Sequence, residues 1–306
     1  MRLPDFEAWG IFACVVEQKS FTGAASMLGL SKATISKAVT RLESQLGAPL
    51  FHRTSRRLAL TESGSKLLEH ARRILAEGEA AEEAAREDAV EPVGLVRLAA
   101  PMSFGLSHVA PAIADFLSIY PGISVDLHLS DARVDLIGEG FDIALRVGAL
   151  PDSSLRARRL CPVRLMVIAS PAYLETHGTP SHPAQLAEHK CIRYSLSARP
   201  ETWTFTNSSQ QQVSVQVAGQ LSVNNGDAMI ATLCGGLGIG QLPDFLCMPH
   251  VESGRLVEIL ADWASPPSAL HLLTPPGRIR PLRVTALIEF LVQRLDPTGR
   301  RASGIA

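Results

Sequence analysis

Residues 20–60 read SFTGAASMLGLSKATISKAVTRLESQLGAPLFHRTSRRLAL, and the apolar spacing within this stretch decides the architecture of the N-terminal part. Ala24, Ala25 and Leu28 mark a short helix, Gly29 breaks it, and Ile35, Val39, Leu42 and Leu46 recur at i, i+4, i+7 and i+11 on a second. Two amphipathic helices across a tight turn have helix-turn-helix spacing. Ser31 can cap the second helix with its hydroxyl, and Gly47 stands where a left-handed stop is expected, so the helix spans roughly Lys32 to Leu46. On a wheel advancing about 100° per residue, Val39 and Leu42 lie beside Ile35, whereas Ala33, Lys37, Thr40 and Ser44 point the opposite way.

That outward face is small, polar and basic, which suits the major groove. Small residues let the helix approach closely, and Thr34, Ser36 and Lys37 offer hydrogen bonds to base edges or phosphates. Lys32, Ala33, Thr40 and Arg41 complete the candidate DNA-contacting set. The following PLFHRTSRRLALT alternates into two short extended runs around Arg53, Thr54, Ser55, Arg56 and Arg57, read as a wing whose guanidinium groups meet phosphates or the minor groove. A helix pair with a glycine turn occurs in many folds, so the context must agree. SFTGAA, LSKATISKAVTRLESQLGAPLFHR and LALTESG resemble the N-terminal region of LysR-type transcriptional regulators, and DARVDLIGEGFDIALRVGALPDSSLRARRL and ASPAYLETHGTP resemble one branch of that family. The likeness runs from about residue 5 to 295 and implies an α/β multidomain chain: a winged helix-turn-helix, a long linker helix, and a two-lobed, periplasmic-binding-protein-like α/β effector domain.

At 306 residues, with 46% hydrophobic and 19% charged side chains, the chain has material for about two cored domains. The longest apolar runs are interrupted short of the ~20 residues that span a bilayer, and MRLPDFEAW lacks the apolar core of a secretory signal, so a cytoplasmic protein without a membrane partner is expected. Five cysteines (14, 161, 191, 234 and 247) show neither CxxC pairing nor clustering with histidine, which points to buried thiols rather than a metal site or disulfide framework. A redox role for Cys191 or Cys234 would depend on exposure and local charge. Net charge is −1, unevenly distributed: residues 1–60 carry eight Lys or Arg against four Asp or Glu, and residues 61–91 four against nine. The positive excess lies where the helix-turn-helix lies, as an electrostatic footprint on DNA requires.

PDFEAWGIFACVVEQKS places Phe6, Trp9, Phe12, Ala13 and Val16 on one helical stripe, a scaffold for the helix pair. Thr61 to about Ala89 reads as one long helix with Thr61 as N-cap and a seam of Leu67, Ala71, Ile74, Gly78, Ala81 and Ala85, about 40 Å at 1.5 Å per residue. A lone exposed helix of this length is marginal, so dimerisation through it is expected. After Glu91-Pro92, the strand-like runs GLVRLAAP, SVDLHLS and FDIALRVG alternate with helical patterns at Leu106 to Tyr120 and Arg133 to Glu139, which predicts a parallel α/β sheet. A second set follows from VRLMVIAS to GIGQLP, and the resemblance implies that ALHLLTPP and PLRVTALIEFLVQRL return to the first lobe. The expected division is 1–60 DNA-binding, 61–91 linker, 92–296 effector domain (lobe 1 about 92–162 and 267–296, lobe 2 about 163–266) and 297–306 tail.

In open α/β sheets ligands sit beyond the carboxyl ends of strands. Ser103 and Phe104 in the loop PMSFG, Ser130 after SVDLHLS, and Asn224, Asn225 and Asp227 at a helix start face such a cleft, with Trp203 as an apolar wall and Gln241 as an amide. Arg146 can pair with an anionic effector, a carboxylate for example, or with Asp142. CGGLGIG follows a helix and precedes a strand, the reverse of a phosphate cradle. GxSxG, HExxH and P-loop motifs are absent and the nine histidines have no ligand-like spacing, so no catalytic residue, cofactor or metal is expected. A transporter's solute-binding protein would share the lobes but not the first 90 residues, and an enzyme would need a nucleophile, metal set or cofactor loop. The expected partners are double-stranded promoter DNA, a small-molecule effector and further copies of the chain. The resemblance adds a homotetramer and RNA polymerase.

Overall fold

The computed structural model describes residues 3–52, 58–85, 91–148, 150, 155–276 and 280–295. Four helices build the head: α1 (Phe6–Glu17), α2 (Phe21–Leu28), α3 (Lys32–Leu46) and α4 (Glu62–Ala85). Their ends follow local chemistry. The Ser20 hydroxyl accepts from the Gly23 N–H at 3.2 Å and the Ser31 hydroxyl from the Thr34 N–H at 3.1 Å. Gly29 (φ 64°) and Gly47 (φ 67°) stop α2 and α3 in the left-handed conformation that glycine tolerates.

One core joins all four helices: Phe12, Ala24, Ile35, Val39, Leu42, Leu50, Leu68 and Ala71 are buried together. Three positions read as interior are exposed instead: Phe6, Leu28 and Leu46. The seam on α4 is also divided. Ala71 is fully buried in the head's own core with Leu67 packed against it, so the first half of α4 packs on α1. Ala81 and Ala85 lie outside the residues whose side chains the structure describes, as do all atoms of residues 86–90 and of the tail 297–306. Arg72 on α4 ties head to lobe, 3.9 Å from Glu17 and donating to the Gly138 carbonyl at 3.2 Å.

The C-terminal part is built on β1 (Gly94–Ala100), α5 (Met102–Phe104), a π-turn at Gly105–Val109, α6 (Ala110–Ile119), β2 (Ile123–Leu129), β3 (Ile143–Val147), β4 (Arg156–Val163), β5 (Leu165–Ala169), α7 (Pro171–His177), β6 (Cys191–Tyr194), β7 (Thr202–Asn207), β8 (Gln212–Gln216), β9 (Ser222–Val223), α8 (Gly226–Cys234), β10 (Ile239–Pro243), α9 (Asp244–Glu252), β11 (Val257–Ile259), β12 (Trp263–Ala264), β13 (Ser268–Thr274) and α10 (Leu282–Leu295). One sheet runs β2-β1-β3-β13-β4, a second β11-β5-β10-β6-β9, and a small third β12-β7-β8. Thus β13 inserts between β3 and β4, bringing the late chain back into the first lobe.

That sheet is mixed rather than parallel, because β13 runs antiparallel to both neighbours. Alternation of helices with strands does not reveal the direction of a strand that arrives from another lobe. Arg133 to Glu139 is a set of turns, not a helix: Asp135 accepts from the Gly138 N–H at 3.0 Å and Glu139 from the Asp135 N–H at 2.8 Å, so side chains satisfy the backbone locally. Val96, Leu98, Phe116, Ile143, Leu270 and Leu287 form the core on which α6 and α10 pack. The run Met102–Ile119 has the length and composition of a membrane span, yet Val109, Ala112, Ile113 and Phe116 are buried in this core.

Candidate functional site

On α3 the split between faces is clean. Ile35, Ala38, Val39 and Leu42 are buried, whereas Lys32, Ala33, Thr34, Ser36, Lys37, Thr40 and Arg41 are exposed. Arg41 is nevertheless engaged: its guanidinium pairs with Asp5, the cap of α1, and lies 3.4 Å from Glu7, and the Asp5 hydrogen bond raises its pKa. It braces α3 against α1 instead of projecting freely. Glu43, on the same helix, accepts from the Leu50 N–H at 2.7 Å and the Phe51 N–H at 3.3 Å. With the Phe51–Leu60 bridge and the His52 N–H to Ala59 carbonyl bond (2.9 Å), this fixes the base of a hairpin directly after α3. Arg53, Thr54, Arg56 and Arg57 lie outside the described residues.

Between the lobes the structure gathers four of the nine predicted effector residues, Ser103, Phe104, Asn225 and Asp227. The Ser103 hydroxyl donates to Asp227 Oδ2 at 2.7 Å, and the Asn225 amide donates to Asp131 Oδ2 at 3.0 Å. Asp131 also accepts from the Met102 N–H at 2.9 Å, and Asn225 caps α8 through the Ala228 N–H at 3.0 Å. Asp131 was missed in sequence. Its position two residues past the end of β2 was the available signal. Close approach is built in: a Cβ on Gly226 would come 2.6 Å from Leu246 Cδ1 and 3.3 Å from Ser103 Oγ. Phe104 is buried, stacks on His108 at 4.6 Å and meets Phe245 of α9 edge-on at 5.2 Å. Four side chains and an aromatic contact therefore latch lobe to lobe.

The remaining candidates are elsewhere. Ser130 accepts from the Ala132 N–H at 3.2 Å and shapes its own turn, and Asn224 is exposed. Trp203 is no cleft wall: it is buried with Phe205, Val215 and Tyr173 in the core of lobe 2, because alternation along β7 turns it inward. Gln241 donates to Ser265 at 2.8 Å, near the crossing strands. Arg146 stands opposite His271 on β13 rather than pairing with Asp142, which accepts from the Arg97 N–H at 2.8 Å. Burial, and after it the charge of Arg133, lowers the Arg146 pKa. Among the described residues no cluster of three or more His, Cys, Asp or Glu could hold a metal.

A helix-turn-helix head with an exposed second helix, joined by a long helix to two latched α/β lobes, defines a ligand-responsive DNA-binding protein. Residues 6–65 match the bacterial regulatory helix-turn-helix protein, lysR family, and residues 89–296, more than half of the chain, match the LysR substrate binding domain. The chain belongs to the LysR family: it is a transcriptional regulator with a helix-turn-helix for DNA and a substrate-binding domain for an effector. It is 41% identical to an HTH-type transcriptional regulator of Xanthomonas campestris pv. campestris over 94% of this chain and 84% of that one. It is 37% identical to the transcriptional regulator PtxR of Pseudomonas aeruginosa over 93% and 91%. Among solved structures, CrgA of Neisseria meningitidis is 34% identical with a TM-score of 0.60, covering 96% of this chain and 99% of its own.

Proposed function

We propose that Lys32, Ala33, Thr34, Ser36, Lys37 and Thr40 form the surface that enters the major groove, and that Arg53, Thr54, Arg56 and Arg57 flank it on the backbone. The observation that carries this is the exposure of all six α3 residues while the apolar residues of the same helix are buried. Small side chains at the contact allow backbone-close docking, and Lys32 and Lys37 supply the charge. A photoreactive p-benzoylphenylalanine at Ser36 should cross-link to operator bases, with one at the exposed Gln45 near the far end of the helix cross-linking far less. Equal yields would reject the assignment.

The division of labour follows the chain: 1–60 reads DNA, 61–91 links and pairs subunits, and 92–296 senses the effector, the homodimer forming through α4 and tetramers from dimers. RNA polymerase is a further partner in this reading, the site of action is the cytoplasm, and the lobes bind rather than turn over their ligand. Effector entry must displace Ser103 and Asn225 from Asp227 and Asp131. Among the described residues neither carboxylate is in an ion pair, so a ligand presenting hydrogen-bond donors fits there better than the carboxylate expected from sequence. Release of the latch changes lobe closure and hence the spacing of the DNA heads, a population shift driven by the ligand's preference for one arrangement.

A further inference from the structure

A cavity whose lining shares no residue with this latch lies where the chain crosses between lobes. It measures about 260 Å³ and is walled by Pro162, Val163 and Arg164 on the outgoing crossing, by Ser265, Pro266 and Pro267 on the return, and by Leu260 and Trp263 of lobe 2. Both crossings therefore contribute wall. Arg159 lines the same cavity. On β4 the pairing steps from Cys161 opposite Leu270 to Arg159 opposite His271, passing over Leu160, and such bulges re-aim a side chain. Arg164 is neutralised by a fork to Glu258, but the Arg159 guanidinium has no hydrogen bond or acidic partner among the described residues. Its neighbour His271 is held below its ordinary pKa, first by burial, so the row contributes its charge through the arginines.

We propose that this crossing cavity is a binding site for a small apolar carboxylate, with Arg159 as its anion anchor and Pro162, Leu260, Trp263 and Pro266 as its apolar wall. The volume is just under the ~300 Å³ at which pockets for drug-sized ligands begin, so the occupant is metabolite-sized. A planar guanidinium gives a carboxylate two parallel hydrogen bonds, and the prolines and aromatic ring receive a hydrocarbon body. Because the walls are the crossings themselves, an occupant resists their bending and biases the angle between lobes. The site needs neither Asp131 nor Asp227, so it stands apart from the latch chemistry.

Titration calorimetry of the full chain with cyclohexanecarboxylate and with neutral cyclohexanecarboxamide tests the assignment. The acid should bind saturably at one site per chain and the amide roughly tenfold more weakly or not at all, the loss expected for a charge-assisted pair. Arg159→Gln should weaken the acid by a similar factor and Arg159→Lys by less. Ser268→Leu, which fills the cavity without changing charge, should also abolish binding. An acid that shows no saturable binding, an amide that binds equally well, or an affinity untouched by both Arg159→Gln and Ser268→Leu would each overturn the proposal. None of these outcomes involves the latch residues, so the reading of the interlobe cleft is tested separately.

Discussion

The double variant Ser103→Ala/Asn225→Asp should open the lobes without unfolding them. The hydrogen bond from Ser103 to Asp227 is 2.7 Å long and charge-assisted, but Asp227 is exposed and water replaces the lost partner, so the low end of the range for bonds to charged groups, about 1.5 kcal/mol, applies. Asn225→Asp keeps an oxygen for the Ala228 N–H, so the cap of α8 survives, while the amide that donated to Asp131 becomes a carboxylate facing it. Losing that bond removes at least another ~0.5 kcal/mol. Together about 2 kcal/mol leaves the closed arrangement, roughly a thirtyfold drop in the closed-to-open ratio. Labels placed by orthogonal chemistry at the exposed Ile119 and Leu196, since the chain already carries five cysteines, would report the interlobe distance by electron double resonance. Wild type should give one short distance and the variant a longer or bimodal one. The same single distance in both, with a similar melting point, would refute the latch.

Other outcomes follow from the same structure. Ile35→Ala removes a fully buried side chain from the head core and should cost about 2–5 kcal/mol, abolishing DNA binding through loss of the head's fold, readable as a lower urea midpoint. Ser31→Ala removes the cap of α3 and should cost about 1 kcal/mol, with weaker operator binding recovered by Ser31→Asp. Burial pushes the Cys191 and Cys247 thiols up to about 12, so iodoacetamide near pH 8 should label Cys234 and Cys161, both partly exposed, well before them. Between the ordinary thiol range and about 12 only the unfolded chain releases those protons, so stability should fall as pH rises through that window, and Cys247→Ala should flatten the decline seen in urea midpoints.

The head was legible because its signals are local. Ser31 and Gly47 bound α3 by side-chain capping and a left-handed stop, and each acts within four residues of the helix end. Arg41 shows where locality fails: its wheel position is outward, but Asp5, 36 residues away, claims it. At Leu67 and Ala71 the α4 seam serves the head itself, since the period that would suit a partner helix equally suits α1 of the same chain, and Ala71 is buried there. In the lobes, Ser103, Asn225 and Asp227 were legible as strand-end and helix-start residues; Asp131 stands at a strand end as well, but its partner Asn225 is 94 residues away and is brought to it by tertiary packing. Trp203 was misplaced because a tryptophan in a strand can face either side, and the pleat of β7 turns it to the core. β4 carries exposed arginines at 156, 158 and 159 that hide an edge strand from any hydrophobic pattern.

The most direct measurement is the affinity of full-length Lys37→Ala for its operator across a salt series, beside wild type and with circular dichroism as the control on folding. If the outer face of α3 lies in the groove, the variant stays folded, binds more weakly by roughly 1–3 kcal/mol when Lys37 contacts a base, and shows a salt slope shallower by about one when it contacts a phosphate. Unchanged affinity together with an unchanged slope would show that the duplex touches some other surface of this protein.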